Sequence, residues 1–132
     1  MKGRLGHLRP RLWSSVAAVE EASPTSLSAA KKFKNFEEML LNFGDSLVVV
    51  TFANDLCGPC RLMKKELNQV SSQLGEDVKI FAIDTERFPK LGTKYEVRKL
   101  PTVVVFKGGR VHDRIEGVAR ADLLLERLRQ LL

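Results

Sequence analysis

Two cysteines, Cys57 and Cys60, stand with Gly58 and Pro59 between them, and they are the only cysteines in the 132-residue chain. A pair at this spacing either closes a small disulfide ring or supplies part of a zinc site. Zinc needs further ligands, and the two histidines, His7 and His112, have no metal-ligand spacing to the pair and read as surface residues. A disulfide-stapled secreted domain carries more cysteines, spread along the chain. Here the pair follows the apolar run Leu47-Val48-Val49-Val50-Thr51-Phe52. It opens a segment whose apolar positions Leu62, Met63, Leu67, Val70 and Leu74 recur roughly every 3.6 residues. That places Cys57 at a helix N-terminus, where free backbone N–H groups and the macrodipole favour an anion and lower the thiol pKa. Pro59 falls in the first turn, where its missing N–H costs nothing, and Gly58 lets another chain approach closely. Cys60, one turn in, is expected to be more shielded and less ionised. Such a pair can exchange with a disulfide. The Cys57 thiolate forms a mixed disulfide, and Cys60 resolves it in a step made effectively intramolecular by proximity. The competing reading, an inert buried disulfide, fits poorly, because Gly-Pro at a helix start is poor packing material.

The elements that must hold this pair alternate between strand and helix. A short strand is expected at Lys31–Phe33. Asn35 offers an N-cap with Glu38 three residues on, as in a capping box, and Phe36, Met39, Leu40 and Phe43 follow at helical spacing until Gly44-Asp45. Leu47–Phe52 is apolar and β-branched throughout, as expected of a central strand covered on both faces. The cysteine-bearing helix ends at Gly75, a plausible C-cap residue. Val78–Ile83 is the next strand, a short helix is expected around Arg87–Tyr95, and Thr102–Phe106 is a strand entered from Leu100-Pro101. Lys107-Gly108-Gly109-Arg110 is a hairpin signal with Val111–Ile115 returning antiparallel. The last helix presents Leu124, Leu125, Leu128, Leu131 and Leu132, and lacks a good N-cap at Ala119-Arg120. The order β-α-β-α-β-α-β-β-α implies an α/β fold with a mixed sheet and helices on both faces.

Length and composition allow one domain with a real core, with 44% hydrophobic and 29% charged residues. No apolar run approaches the ~20 residues of a membrane span. The net charge is +6, but residues 1–19 hold Lys2, Arg4, Arg9 and Arg11 without an acid, which leaves the remainder near neutral. No basic stripe with interleaved aromatics follows, so neither nucleic acid nor membrane is an expected partner. Residues 1–28, Arg-rich and acid-free until Glu20, read as a transit peptide or a disordered head, ahead of a domain at 29–132.

Residues 29–132 resemble the thioredoxin family. The resemblance rests on Val48–Phe52 leading to Cys57-Gly58-Pro59-Cys60, on Ile83-Asp84, Lys94-Tyr95, Leu100-Pro101-Thr102, Phe106-Lys107-Gly108-Gly109 and Gly117. Asp84-Thr85-Glu86-Arg87-Phe88-Pro89 and Arg114-Ile115-Glu116-Gly117 look most like the plant and algal plastid y-type members. The resemblance implies the thioredoxin fold and protein-disulfide reductase activity of a redox-active Cys57–Cys60 pair that needs no further cofactor. It implies a cis bond at Pro101 facing the Cys57 sulfur, with backbone beside it free to pair with an extended substrate, and Leu100 and Gly117 at the substrate-binding edge. It also implies a monomer in the chloroplast, with mitochondrion or cytoplasm as alternatives. The electron donor would be a ferredoxin- or NADPH-linked thioredoxin reductase. The targets would be disulfide proteins such as peroxiredoxins and methionine sulfoxide reductases.

Four positions depart from the family pattern. Leu56 stands where Trp is usual before Cys57. Thr51 stands where a buried Asp helps to deprotonate the second cysteine, and a hydroxyl cannot act as a carboxylate base. Ile80 replaces the Lys that often pairs with that Asp, and losing both charges together is self-consistent, since a lone buried charge is costly. Lys65 replaces a helix-kinking proline, so the helix is expected to be straighter. These changes predict slow resolution by Cys60. They also keep a second reading open, a diverged thioredoxin-fold docking module with weak or no turnover. An oxidase or isomerase fits Gly-Pro between the cysteines less well.

Overall fold

A computed structural model describes residues 35–132; the expected strand at 31–33 and the 1–28 head lie outside the described residues. Asn35 opens the first helix, α1 (Phe36–Asn42), by accepting a 2.8 Å bond from the Glu38 N–H, the N-cap half of the expected capping box. Gly44, at φ 57°, turns the chain into β1 (Leu47–Ala53). Then follow α2 (Gly58–Leu74), a 3₁₀ turn (Gly75–Asp77), β2 (Val78–Asp84), α3 (Pro89–Lys94), β3 (Thr102–Lys107), β4 (Arg110–Glu116) and α4 (Ala121–Arg129).

The described strands form one mixed sheet in the order β2-β1-β3-β4. β1 and β2 are parallel, joined by the α2 crossover, while β3 runs antiparallel to both β1 and β4. β1 lies between two neighbours and is buried from Leu47 to Phe52, as an uninterrupted apolar strand requires. Gly108 and Gly109, at φ 62° and 79°, make the two-residue turn between β3 and β4, the geometry that matches the twist of the flanking strands.

Period-2 alternation along β1 divides the core. Leu47 and Val49 meet Met63, Leu67 and Val70 of α2 and Leu124 and Leu128 of α4. Val48, Val50 and Phe52 meet Met39 and Leu40 of α1, with Leu91 and Tyr95 at α3 packed alongside. Helices therefore cover both faces, as the element order implies.

Several local expectations need correction. Leu62 is 54% exposed, because it lies about 100° around α2 from Met63, and the buried stripe is Cys60, Met63, Leu67, Val70 and Leu74. Leu132 is also exposed, since α4 ends at Arg129. The helix expected around Arg87–Tyr95 is shorter, starting at Pro89, whose fixed φ suits a first helical position. α4 has no cap of its own, as expected, but Glu66 of α2 supplies one from across the structure by accepting a 2.7 Å bond from the Ala121 N–H. The α2 helix runs unbroken through Lys65 to its C-cap at Gly75.

Candidate active site

The register puts four chain segments at one end of the sheet. The connection that leaves β1 after Ala53 lies beside the one that leaves β2 after Asp84. The one entering β3 at Thr102, opposite Phe52, lies beside the one leaving β4 after Glu116. The cysteines, Pro101 and Gly117 all belong to this end.

Asn54 shapes the first connection. Its side-chain oxygen accepts a 2.9 Å bond from the Leu56 N–H, and its carbonyl accepts from the Cys57 N–H. This side-chain turn leaves Leu56 88% exposed and delivers Cys57 as the N-cap of α2. The Cys57 sulfur accepts from the Cys60 N–H at 3.1 Å, so it sits on an amide of the first turn. The two cysteines are joined as a disulfide, with Cα atoms 5.3 Å apart. Cys57 is half-buried and Cys60 is 8% exposed, the asymmetry expected of an outer and an inner sulfur. Gly58 and Pro59 are exposed, and a Cβ at Gly58 would meet nothing within 4 Å. The approach to the sulfur is therefore open.

The Leu100–Pro101 bond is cis. Pro101 is buried directly before β3, and Leu100 packs partly against the aromatic side of the core. The Thr102 hydroxyl donates to the Lys99 carbonyl and closes this bend from within. Gly117, at φ 85°, donates its N–H to the Pro101 carbonyl at 2.8 Å. The Pro101 carbonyl is therefore already engaged within the chain, whereas the Leu100 backbone beside it has no hydrogen-bond partner among the described residues. Val118, next to Gly117, is exposed, as is Leu56 on the other side.

Thr51 is 4% exposed and lies on the β1 face that meets α2. The buried polar side chains among the described residues are Thr51, Ser71 and Thr102, so no buried carboxylate, amine or imidazole stands near Cys60. Ile80, opposite Val49, completes an uncharged aliphatic floor. A separate concavity of about 390 Å³ lies away from the sulfurs, between β4 and the chain after α3. There Arg114 donates to the Tyr95 and Glu96 carbonyls and pairs with Glu116 at 3.1 Å, so its guanidinium is consumed in holding that chain to the sheet.

Sequence reasoning missed Asn54, Glu66 and Arg114. Asn54 had a local signal, an Asn two residues before an exposed position in a loop. The other two act over long sequence separations and had none.

A two-cysteine disulfide at a helix start beside a cis-proline bend, on a mixed sheet with helices on both faces, defines a dithiol–disulfide protein of the thioredoxin fold. Comparison with known proteins agrees. The family profile "Thioredoxin" matches residues 28–130. The chain is 43% identical to "Thioredoxin Y2, chloroplastic" of Arabidopsis thaliana over 80% of its own length and 64% of that protein's. It is 36% identical to "Thioredoxin Y1, chloroplastic" of the same plant over 95% of its own length and 71% of the relative's. Among solved structures, Fasciola hepatica thioredoxin superposes with a TM-score of 0.66 at 27% identity, covering 73% of this chain and 90% of the other. The chain belongs to the thioredoxin family, and among its relatives are plastid thioredoxins of the y type.

Proposed function

We propose that the chain is a thiol–disulfide oxidoreductase that reduces protein disulfides through Cys57 and Cys60. One observation carries the reading: a disulfide whose outer sulfur caps an exposed helix start while its inner sulfur is buried one turn behind.

In the reduced state the first-turn amides of α2 favour a Cys57 thiolate. That thiolate attacks one sulfur of the target disulfide. The Cys57–target bond forms, the target S–S bond breaks, and the departing target thiolate takes a proton from solvent. Cys60, once deprotonated, attacks the Cys57 sulfur. The intramolecular disulfide forms and the second target thiolate leaves. Two electrons pass to the target for each disulfide made in the enzyme. Leu100 backbone and Gly117 line the edge where an extended target chain lies, and Pro101 holds that edge open. A thioredoxin reductase returns the electrons. With Thr51 in place of a buried acid, no buried carboxylate takes the proton of Cys60, and the second exchange is the slow step at neutral pH.

The y-type relatives, whose names place them in the chloroplast, support a chloroplast role, with residues 1–28 as the transit segment ahead of a monomeric domain at 29–132. Peroxiredoxins and methionine sulfoxide reductases are the expected targets. The insulin turbidity assay with dithiothreitol tests the activity: wild type accelerates precipitation and Cys57→Ser does not. Equal turbidity from both would leave the docking-module reading, which Thr51 and Leu56 favour, as the better one. Targets retained as mixed disulfides by Cys60→Ser from a plastid extract would identify the substrates. A cytosolic signal from a fluorescent fusion of residues 1–28 would remove the transit assignment.

A further inference from the structure

Charge on the described fold is separated along the sheet axis. The four connections at the cysteine end (residues 54–57, 85–88, 99–101 and 117–120), with the first two turns of α2 (58–65), carry six Lys and Arg against two Asp and Glu. The remaining described residues carry nine against twelve. The sulfur end is thus net +4 and the rest −3.

The most informative cations are on α2. Arg61, Lys64 and Lys65 follow Cys57 by four, seven and eight residues, so helical periodicity places them on the flank that starts at the sulfur, and all three are exposed. Arg61, at the first turn, runs against helix electrostatics, which disfavours cations near an N-terminus. Of the other helices, α1 and α4 obey the rule. α1 has Glu37 and Glu38 in its first turn, and α4 has Asp122 in its first turn with Arg127 and Arg129 in its last. α2 has no acid in its first turn, and its one acid, Glu66, is turned to the α4 amide. α3 also lacks a first-turn acid and carries Lys90 there, so the charge of α2 matters through its place beside the reactive pair and not through a rule that this helix alone breaks. Lys99, exposed just before Leu100-Pro101, adds positive charge on the opposite side of the site. Arg120 adds a further exposed cation, in a long 3.8 Å pair with Asp122.

We propose that this end of the molecule is a docking surface for proteins whose disulfide is flanked by Asp and Glu side chains, with Arg61, Lys65 and Lys99 setting the preference. The inference rests on the disulfide-exchange reading and narrows its substrate class. A positive surface around the nucleophile steers an acidic partner to the encounter and repels a basic one, an effect on association rate of ten- to a thousandfold at low ionic strength. The exposed Leu56 and Val118 supply an apolar centre inside this cationic rim, the arrangement of a docking patch.

The test uses the full chain, recycled with dithiothreitol, on three synthetic disulfide-loop peptides identical except for Glu, Gln or Lys on either side of the bridge. An uncharged small disulfide, bis(2-hydroxyethyl) disulfide, serves as reference. At about 20 mM salt the Glu peptide is reduced roughly tenfold faster than the Gln peptide and the Lys peptide is slowest, and the order collapses near 0.5 M salt. The double variant R61E/K65E reverses the order of the Glu and Lys peptides, and this ratio is unaffected by any general change in thiol reactivity. Equal rates on the three peptides at low salt, or a preference that high salt leaves unchanged, would overturn the docking proposal while the reference disulfide was still reduced. Failure to reduce the reference would instead strike at disulfide exchange itself. Docking is then read from fluorescence-anisotropy binding of the same peptides, where binding independent of salt and peptide charge overturns it.

Discussion

The two sides of the sheet are built from different materials. Beneath α1 and α3 lie all seven described aromatic residues, with Phe36, Tyr95, Phe52 and Phe106 interlocked at centroid distances of 5.3–6.1 Å. Beneath α2 and α4 there is no aromatic ring among the described residues, only Leu, Val, Ile, Met and Ala. Edge-to-face rings fix their neighbours' angles as well as their distances, so the first side acts as a stiff backing. The second side is smooth and aliphatic, and it carries the helix that holds the disulfide. The division of labour is that one face holds the fold while the other presents chemistry.

The sharpest way to break this comparison is at the sulfurs. Cys57→Ser is expected to abolish disulfide reduction by at least about a thousandfold while the far-ultraviolet circular dichroism of the protein stays native. An active Cys57→Ser protein would show that the chemistry is not on the α2 side. Removing a ring tests the other side. Phe106→Ala should cost about 3–5 kcal/mol of stability, read from the denaturant midpoint, and leave the rate of disulfide exchange by the still-folded fraction within about twofold. A parallel collapse of that rate would mean that the two faces are not separable.

A subtler change moves chemistry into the aliphatic floor. Thr51→Asp should speed decay of the Cys57 mixed disulfide at neutral pH by roughly tenfold or more, since general-base help is worth that much or more. It should also cost a few kcal/mol of stability, because the new carboxylate would have no buried partner. The decisive measurement is the pH profile of the decay, and an unchanged profile would mean that the wild-type resolving step already has its base. The smallest effect is at Tyr95, whose phenol pKa burial raises above 10.0. The folded state therefore favours the neutral phenol. That contribution is complete below the unfolded pKa near 10 and is lost as pH rises through the raised value. Tyr95→Phe should flatten the alkaline loss of stability above about pH 10 and change nothing at pH 7; identical alkaline denaturation curves would rule this out.

What the sequence disclosed follows the range of the forces involved. Asn35 as a cap, Gly75 as a C-cap, the Gly108-Gly109 turn and the cysteines at the start of α2 are set by neighbours within a few residues, and each can be read from spacing. β1 was legible because a strand buried on both faces leaves a run without alternation. Leu62 was misplaced because counting apolar residues ignores their angle, and α2 buries only a stripe. Glu66 capping α4 and Arg114 clamping the chain after α3 depend on contacts across 55 and 18–19 residues, for which a single sequence carries no periodic sign. The cations beside Cys57 were visible as residues, but their meaning appeared only once the register gathered the four connections at one end.

Glu66 carries one more consequence, for the order in which the chain assembles. The first amide of α4 is satisfied by a carboxylate that belongs to α2, so this helix has no starting point until α2 is already in place. Glu66→Gln should weaken protection of the Ala121 amide against hydrogen exchange before the amides of the sheet respond. α4 is then a clasp that closes over a finished body, and a nascent chain would latch it only after α2 had folded.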